Sequence, residues 1–542
     1  MNKAPFSLGL LGLALLASGC GATSLVSTPV ENIDTVPLKV TELSEEASKS
    51  WSHADLRQDT IPGMSVDRAY REIVGNRKGK TVVVAVLDSG IDLEHEDLND
   101  VLWTNRGEKP GNGKDDDNNG YVDDVHGYNF LGESYHEQLE SARILKLKLG
   151  DAALQARAQS VLQEETNETA ANKQRYEQIL QAVQSADAAV KAHLKKDSYT
   201  KADVTAIKTE DAELQQHLGV IKQMFAFEDS IDEVLSQLKE GIDYFSDRLN
   251  YHFNVDFNGR ATVGDDPYDL NDRGYGNGNP RNRVEDESHG THVAGIIAAE
   301  RGNGIGVDGV ANNVELMAVR TVPDGDEYDK DVALAIRYAA DNGAQVINAS
   351  FGKSFSPKAE WVYDAIKYAA SKDVLIVHAA GNDGLDLDQP ENPNYPNDQV
   401  GTGPEIADNV LTVGSLESDY GSEMVSSFSN YGKVNVDIFA PGGQIYSTMP
   451  GNEYEFQGGT SMAAPAVAGI AAMVRSYYPK LTAPQVKRII MQSGLAVTPQ
   501  VVLAGNPQNS KSFNAISASG RMANLYNALI LADRVNSGSL QL

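Results

Sequence analysis

Apolar residues in this chain follow two kinds of pattern. Some form short unbroken runs, at 81–87, 314–322, 345–351, 374–380 and 410–413. Runs of that length without polar alternation predict strands covered on both faces, as in a parallel sheet. Between several of them lie stretches of helical character, at 330–342, 357–371 and 461–478. Strands alternating with helices predict an α/β fold on a largely parallel sheet. One stretch breaks the rhythm. No proline occurs between Pro110 and Pro267, and no glycine between Gly150 and Gly219. Within it Tyr176, Ile179, Leu180, Val183 and Val190 share one helical face. So do Ile231, Val234, Leu235, Leu238, Ile242, Phe245 and Leu249. Lys, Glu, Asp and Gln fill the other faces, so these are amphipathic helices and not membrane elements. Residues 134–252 therefore read as an all-α insertion of two to four helices. It divides the α/β domain into a first part, 51–133, and a second, 253–542.

Charge narrows the partners. The 542 residues carry 46 Lys plus Arg against 76 Asp plus Glu, a formal charge of −30. Nucleic acid is excluded as a partner class, because phosphate binding needs clustered cations. The one cysteine excludes an intramolecular disulfide and cysteine-based zinc sites. It is Cys20, which follows Lys3, an apolar run over 6–16, and Ala17, Ser18 and Gly19. That run is too short to span a bilayer as a helix. The pattern resembles a bacterial lipoprotein signal, although Ala17 stands where leucine is commonest. The resemblance implies a signal peptide over 1–19 and lipidation of Cys20. Residues 20–50, without helical or strand period, then read as a tether. The expected location is the bacterial cell envelope, at the outer membrane in a Gram-negative cell, with membrane contact through the lipid alone.

Three segments place a reactive side chain beside glycine at the edge of an apolar element: Asp88-Ser-Gly-Ile-Asp92, Ser288-His289-Gly-Thr-His292-Val-Ala-Gly295 and Gly458-Gly-Thr-Ser461-Met-Ala-Ala-Pro465. Strand ends and helix starts are where open α/β sheets build sites. A serine hydroxyl is a weak nucleophile. It needs a base such as histidine, and that histidine needs a carboxylate to orient it and stabilise its cation.

Together the three segments resemble the signature motifs of the subtilases, a family of serine proteases, in the order Asp, His, Ser. The resemblance covers about 70–130 and 253–495. It implies a subtilisin-like three-layer domain hydrolysing protein or peptide substrates, with no organic cofactor. Asp88 would orient the histidine, His289 would act as general base then acid, and Ser461 as nucleophile. Ala379-Ala380-Gly381-Asn382 resembles the family's oxyanion segment, with Asn382 donating its amide. Ser350-Phe351-Gly352 resembles the strand that pairs with substrate. With Ala379, Ala380 and Gly381 it would wall the pocket for the residue before the scissile bond. Gly352 and Gly381 suggest room there for a large apolar side chain. His292 and His378 read as packed histidines.

Asp115, Asp117, Asn119 and Asp123 occupy positions 1, 3, 5 and 9 of a loop with Gly120 at position 6, the spacing of a calcium loop. Position 12 is His126 and not the usual Glu. A structural Ca²⁺ is the expectation, and subtilases commonly bind one. Asp88 and His289 lie much further apart than is usual in the family, and the insertion accounts for most of the excess. Restricting the cleft, binding a partner, spacing the enzyme from the membrane, or having no catalytic role are its open readings. The leading expectation is a lipid-anchored serine endopeptidase. A catalytically silent scaffold and an adhesion lipoprotein are the rivals, and the intact set of Asp88, His289, Asn382 and Ser461 argues against both.

Overall fold

A computed structural model describes residues 42–284 and 287–542. Cys20, the signal segment and the tether up to residue 41 lie outside them. The strands are β1 Val82–Asp88, β2 Gly127–Asn129, β3 Val314–Arg320, β4 Val346–Ala349, β5 Leu375–Ala379, β6 Val410–Leu416, β7 Ile438–Pro441, β8 Ile445–Met449, β9 Glu453–Gln457, β10 Leu495–Ala496, β11 Gln500–Leu503, β12 Asn506–Ser512 and β13 Arg521–Met522. The helices are α1 Glu45–Ser50, α2 Val66–Ala69, α3 Glu140–Leu147, α4 Ala152–Leu194, α5 Lys201–Ala206, α6 Ala212–Met224, α7 Ile231–Asp247, α8 His289–Ala298, α9 Asp329–Asp341, α10 Ala359–Ser371, α11 Thr460–Tyr477, α12 Ala483–Ser493 and α13 Leu525–Asn536.

Nine strands form one sheet in the order β10-β13-β7-β6-β5-β4-β1-β3-β2, parallel except where β10 meets β13. The unbroken apolar runs explain it, because alternate side chains of each strand point to opposite faces and both faces are covered. From β1, Val82, Val84 and Val86 join the core packed with α8, α11, α12 and α13. Ala85 and Leu87 join the opposite core with α9 and α10. The result is the expected three-layer α/β domain. The tether expected over 20–50 ends sooner. Ser44 caps α1, Leu43 packs against the main core, and Trp51 Nε1 donates to Gln444 O at 3.1 Å.

The insertion holds five helices, α3 to α7, where periodicity predicts two to four. The 43-residue α4 runs about 65 Å. It ends on Lys195, whose φ of 53° takes the left-handed cap that glycine usually fills. A capping box of Thr200 and Asp203 starts α5, Asp211 caps α6 and Ser230 caps α7. Side-chain caps thus make the breaks that glycine and proline do not announce. Val183, Val190, Val204, Ile221 and Phe225 form a core separate from those of the sheet. At the base, the Leu139 N–H donates to His252 O at 2.9 Å, so the chain leaves and re-enters the α/β domain at one place.

Candidate active site

The carboxyl ends of the neighbouring strands β5, β4 and β1 deliver Ala379, Ala349 with the following Ser350, and Asp88 to one edge of the sheet. Asp88 is 1 % exposed, and its Oδ1 accepts from the Ser89 N–H at 2.8 Å. His289 opens α8, and its Nδ1 donates to Asp88 Oδ1 at 2.7 Å. Two glycines permit this approach. A Cβ on Gly290 would lie 2.1 Å from Gly90 O, and Gly90 itself has a φ of +106°. Burial pulls the His289 pKa down. The charge and hydrogen bond of Asp88 push it up further, to a position above its ordinary value of 6.5. The other two histidines nearby are held neutral. Burial lowers His292 and His378 to about 4 each. Both donate through Nε2 to carbonyls, His292 to Ile445 and Glu455, His378 to Phe351.

Ser461 lies in the first turn of α11, where backbone N–H groups have no acceptor within the helix. Pro465 follows four residues later and has no N–H, so the Ser461 carbonyl is free of the helical ladder. It accepts instead from Ser350 Oγ at 2.9 Å, while Ser461 Oγ donates to Ser350 O at 3.1 Å. The two serines therefore clasp each other. Among the described residues no hydrogen bond joins Ser461 to His289. His289 and Asp88 are thus paired, while the Ser461 hydroxyl is engaged by Ser350.

Asn382 is oriented by a residue that sequence reasoning passed over. Its Oδ1 accepts from both the backbone N–H and the hydroxyl of Thr460, each at 2.9 Å. A backbone N–H can only donate, so the oxygen must face Thr460 and the amide NH₂ must face away. The Thr460 hydroxyl in turn accepts from the Gly381 N–H at 3.0 Å. Thr460 is fully buried, and the sole signal for it was its place just before Ser461.

A cavity of about 370 Å³ adjoins Ser461 and Asn382. Phe351, Gly352, Ala379 and Gly381 line it, as expected. Ser350 is bonded to Ser461 and Ala380 is buried in the main core, and neither of these two lines the cavity. Gly352 itself is held close to its neighbours. A Cβ there would lie 2.5 Å from Asn394 Oδ1, whose amide is held by donation to Ala379 O and Ala380 O. The opposite wall comes from the insertion, through Leu139, Arg157, Val161, Glu165 and Arg248. Arg157 stacks over Phe355 at 4.5 Å. Burial raises the Glu165 carboxyl, Arg248 opposes, and the charges of Asp326 and Asp383 add to the rise. No helical period marks α4 residues as cleft residues.

The acidic loop differs from its prediction. Asp123 turns away, its carboxylate accepting from the N–H groups of Asn112 and Gly113. Asn119 Oδ1 accepts from the Tyr121 N–H. Asp115 and Asp117 instead share their space with Glu108, with one oxygen from each of the three within 4.8 Å of the others. Glu108 is 7 % exposed and its Oε2 has no partner.

The family model of the subtilases matches residues 79–517. The chain belongs to the subtilase family. A thermophilic serine proteinase from Bacillus sp. (strain AK1) is 36% identical over 46% of this chain and 53% of its own. Thermitase from Thermoactinomyces vulgaris is 40% identical over 35% of this chain and 61% of its own. Subtilisin BL from Lederbergia lenta is 39% identical over 40% of this chain and 75% of its own. The chain thus spans between half and two thirds of the first two relatives. Their likeness to this subtilase falls on less than half of its length.

Proposed function

We propose that this subtilase is a serine endopeptidase. The observation that carries the reading is the 2.7 Å contact between His289 and Asp88, residues 201 positions apart in the chain, at the strand edge where Ser461 opens α11. Rotation of the Ser461 side chain from Ser350 O towards His289 Nε2 gives the base its proton, and Oγ attacks the peptide carbonyl. The oxyanion that develops meets the Asn382 amide and the Ser461 N–H. His289 then protonates the leaving amine, and water activated by the same histidine releases the acyl group. Comparing wild type with Ser461→Ala on casein and with a fluorophosphonate probe tests this. Labelling and hydrolysis confined to the wild type are expected, and equal behaviour of the two refutes the reading.

Two further features belong to the proposal. Cys20 carries the lipid that holds the enzyme at the bacterial envelope. Mass spectrometry of the mature N-terminus checks this, and an unmodified start beyond Cys20 rejects it. A Ca²⁺ ion held by Glu108, Asp115 and Asp117 would neutralise crowded carboxylates and brace the loop that leads into β2, with Glu108 Oε2 as the buried oxygen lacking a partner. Of the roles open to the insertion, restriction of the cleft is the one its lining residues support.

A further inference from the structure

Both ends of the insertion meet at a cluster that peptide hydrolysis does not use. His136 precedes α3, His252 closes the π-helical turn Arg248–His252 after α7, and Asp324 lies in the loop after β3. One imidazole nitrogen from each histidine and one Asp324 oxygen all lie within 4.8 Å of one another. Asp324 Oδ2 is 2.6 Å from His136 Nδ1 and 3.1 Å from His252 Nε2.

A second observation concerns His252 alone. It is 5 % exposed, yet its Nδ1 has no partner and its Nε2 meets only the Asp324 carboxylate, off hydrogen-bond geometry. Buried polar groups are ordinarily satisfied, and an exception calls for a cause such as an ion. His136 is held in place by stacking on Tyr251, with ring centroids 3.9 Å apart. Asp247, the last residue of α7, is electrostatically coupled to the same group, its carboxyl feeling the charges of His136, Asp324 and His252.

We propose that His136, His252 and Asp324 form a binding site for a divalent transition-metal ion, zinc fitting best. Two imidazoles and one carboxylate suit zinc, whereas calcium and magnesium prefer oxygen ligands throughout. Around a tetrahedral zinc, ligand atoms stand about 3.4 Å apart. The 2.6 and 3.1 Å contacts therefore need to open by less than an ångström. The His136 and Asp324 side chains, 24% and 34% exposed, have the freedom to do so and leave a path for the ion. A fourth position is left for water. The ion would fasten the exit and re-entry points of the insertion to the loop carrying Asp326, which lines the cavity beside Ser461. This site stands whether or not the chain is a peptidase.

The test is zinc titration of the chelator-stripped full chain, carrying Ser461→Ala to prevent self-digestion, against a chromophoric zinc chelator. Excess Ca²⁺ is present to occupy the acidic loop. One Zn²⁺ per chain with micromolar or tighter affinity is expected. His136→Gln and His252→Asn should each weaken it by at least about tenfold. Zinc should also raise the thermal midpoint of the parent and not of the variants. If buried His252 tolerates no change, the more exposed His136→Gln decides the matter. Absence of saturable binding, or undiminished binding in a folded His136→Gln protein, overturns the proposal and leaves two histidines gathered around the Asp324 carboxylate.

Discussion

Single side chains decide the chemistry here, and Thr460 shows how. Its hydroxyl and N–H hold Asn382 Oδ1, so the amide proposed to meet the oxyanion is aimed before substrate arrives. Replacing Asn382 with Ala is expected to lower kcat about 10²–10³-fold with KM little changed, the scale that loss of one oxyanion donor carries in this family. Thr460→Val keeps the backbone donor and removes the hydroxyl. It should cost about tenfold in kcat, and Thr460→Ser should restore it. A loss shared equally by kcat and KM in Thr460→Val would point to a packing role. Protonation follows the same logic. The proposed mechanism needs neutral His289, whose pKa is held above 6.5 by Asp88, while His292 and His378 stay near 4. The acid limb of kcat/KM should therefore fall above pH 6.5. In Asp88→Asn the burial remains and the charge is gone, so the limb should move below 6.5 while kcat drops about 10⁴-fold. Asp88, His289 and Ser461 were legible in sequence because each sits in a glycine-flanked motif. Thr460 and Asn394 were not, since their roles depend on partners 78 and 15 positions away.

At the scale of elements, unbroken apolar runs announced the strands because a doubly covered sheet tolerates no polar alternation. The helices of the insertion were harder to count. Their boundaries rest on side-chain caps and on a left-handed lysine, signals that ordinary polar sequence also contains. The contribution of α4 to the cleft wall was invisible, because Arg157 and Glu165 look like any exposed helix surface in sequence. The bundle's own core makes a sharp prediction. Ile221 is fully buried among Val183, Val190 and Phe225, so Ile221→Ala should destabilise the bundle by about 2–5 kcal/mol. Hydrogen exchange should quicken in α5, α6 and α7 and stay slow in β1, β4 and β5. Equal quickening in the sheet would show that the two cores unfold as one.

The whole molecule is strongly acidic, and part of that acidity is buried. Burial lifts the Glu327 carboxyl from 4.5 to about 8, with the Lys353 charge opposing and that of Asp326 adding to it. Burial likewise lifts Asp398 from 3.8 to about 7 against Lys487. In both cases the folded state keeps its proton to higher pH than the unfolded chain. Stability is thus lost as pH rises from the unfolded values towards 7 and 8. Thermal midpoints should fall between pH 5 and pH 8, and Glu327→Gln should flatten that slope. A slope unaltered in the variant would exclude Glu327 as its source. The same large-scale arrangement also sets a timetable. β1 lies inside the sheet, yet its partners β3 and β4 begin only at Val314 and Val346, after the entire insertion. At about 5–20 residues per second, a ribosome takes roughly 10–45 s to supply the first of them. For that interval the run of Val82 to Leu87 is a newly made strand with no neighbour, and sequences of that kind associate readily with one another. The nascent chain should need shielding from its own apolar strand until α8 and β3 have emerged.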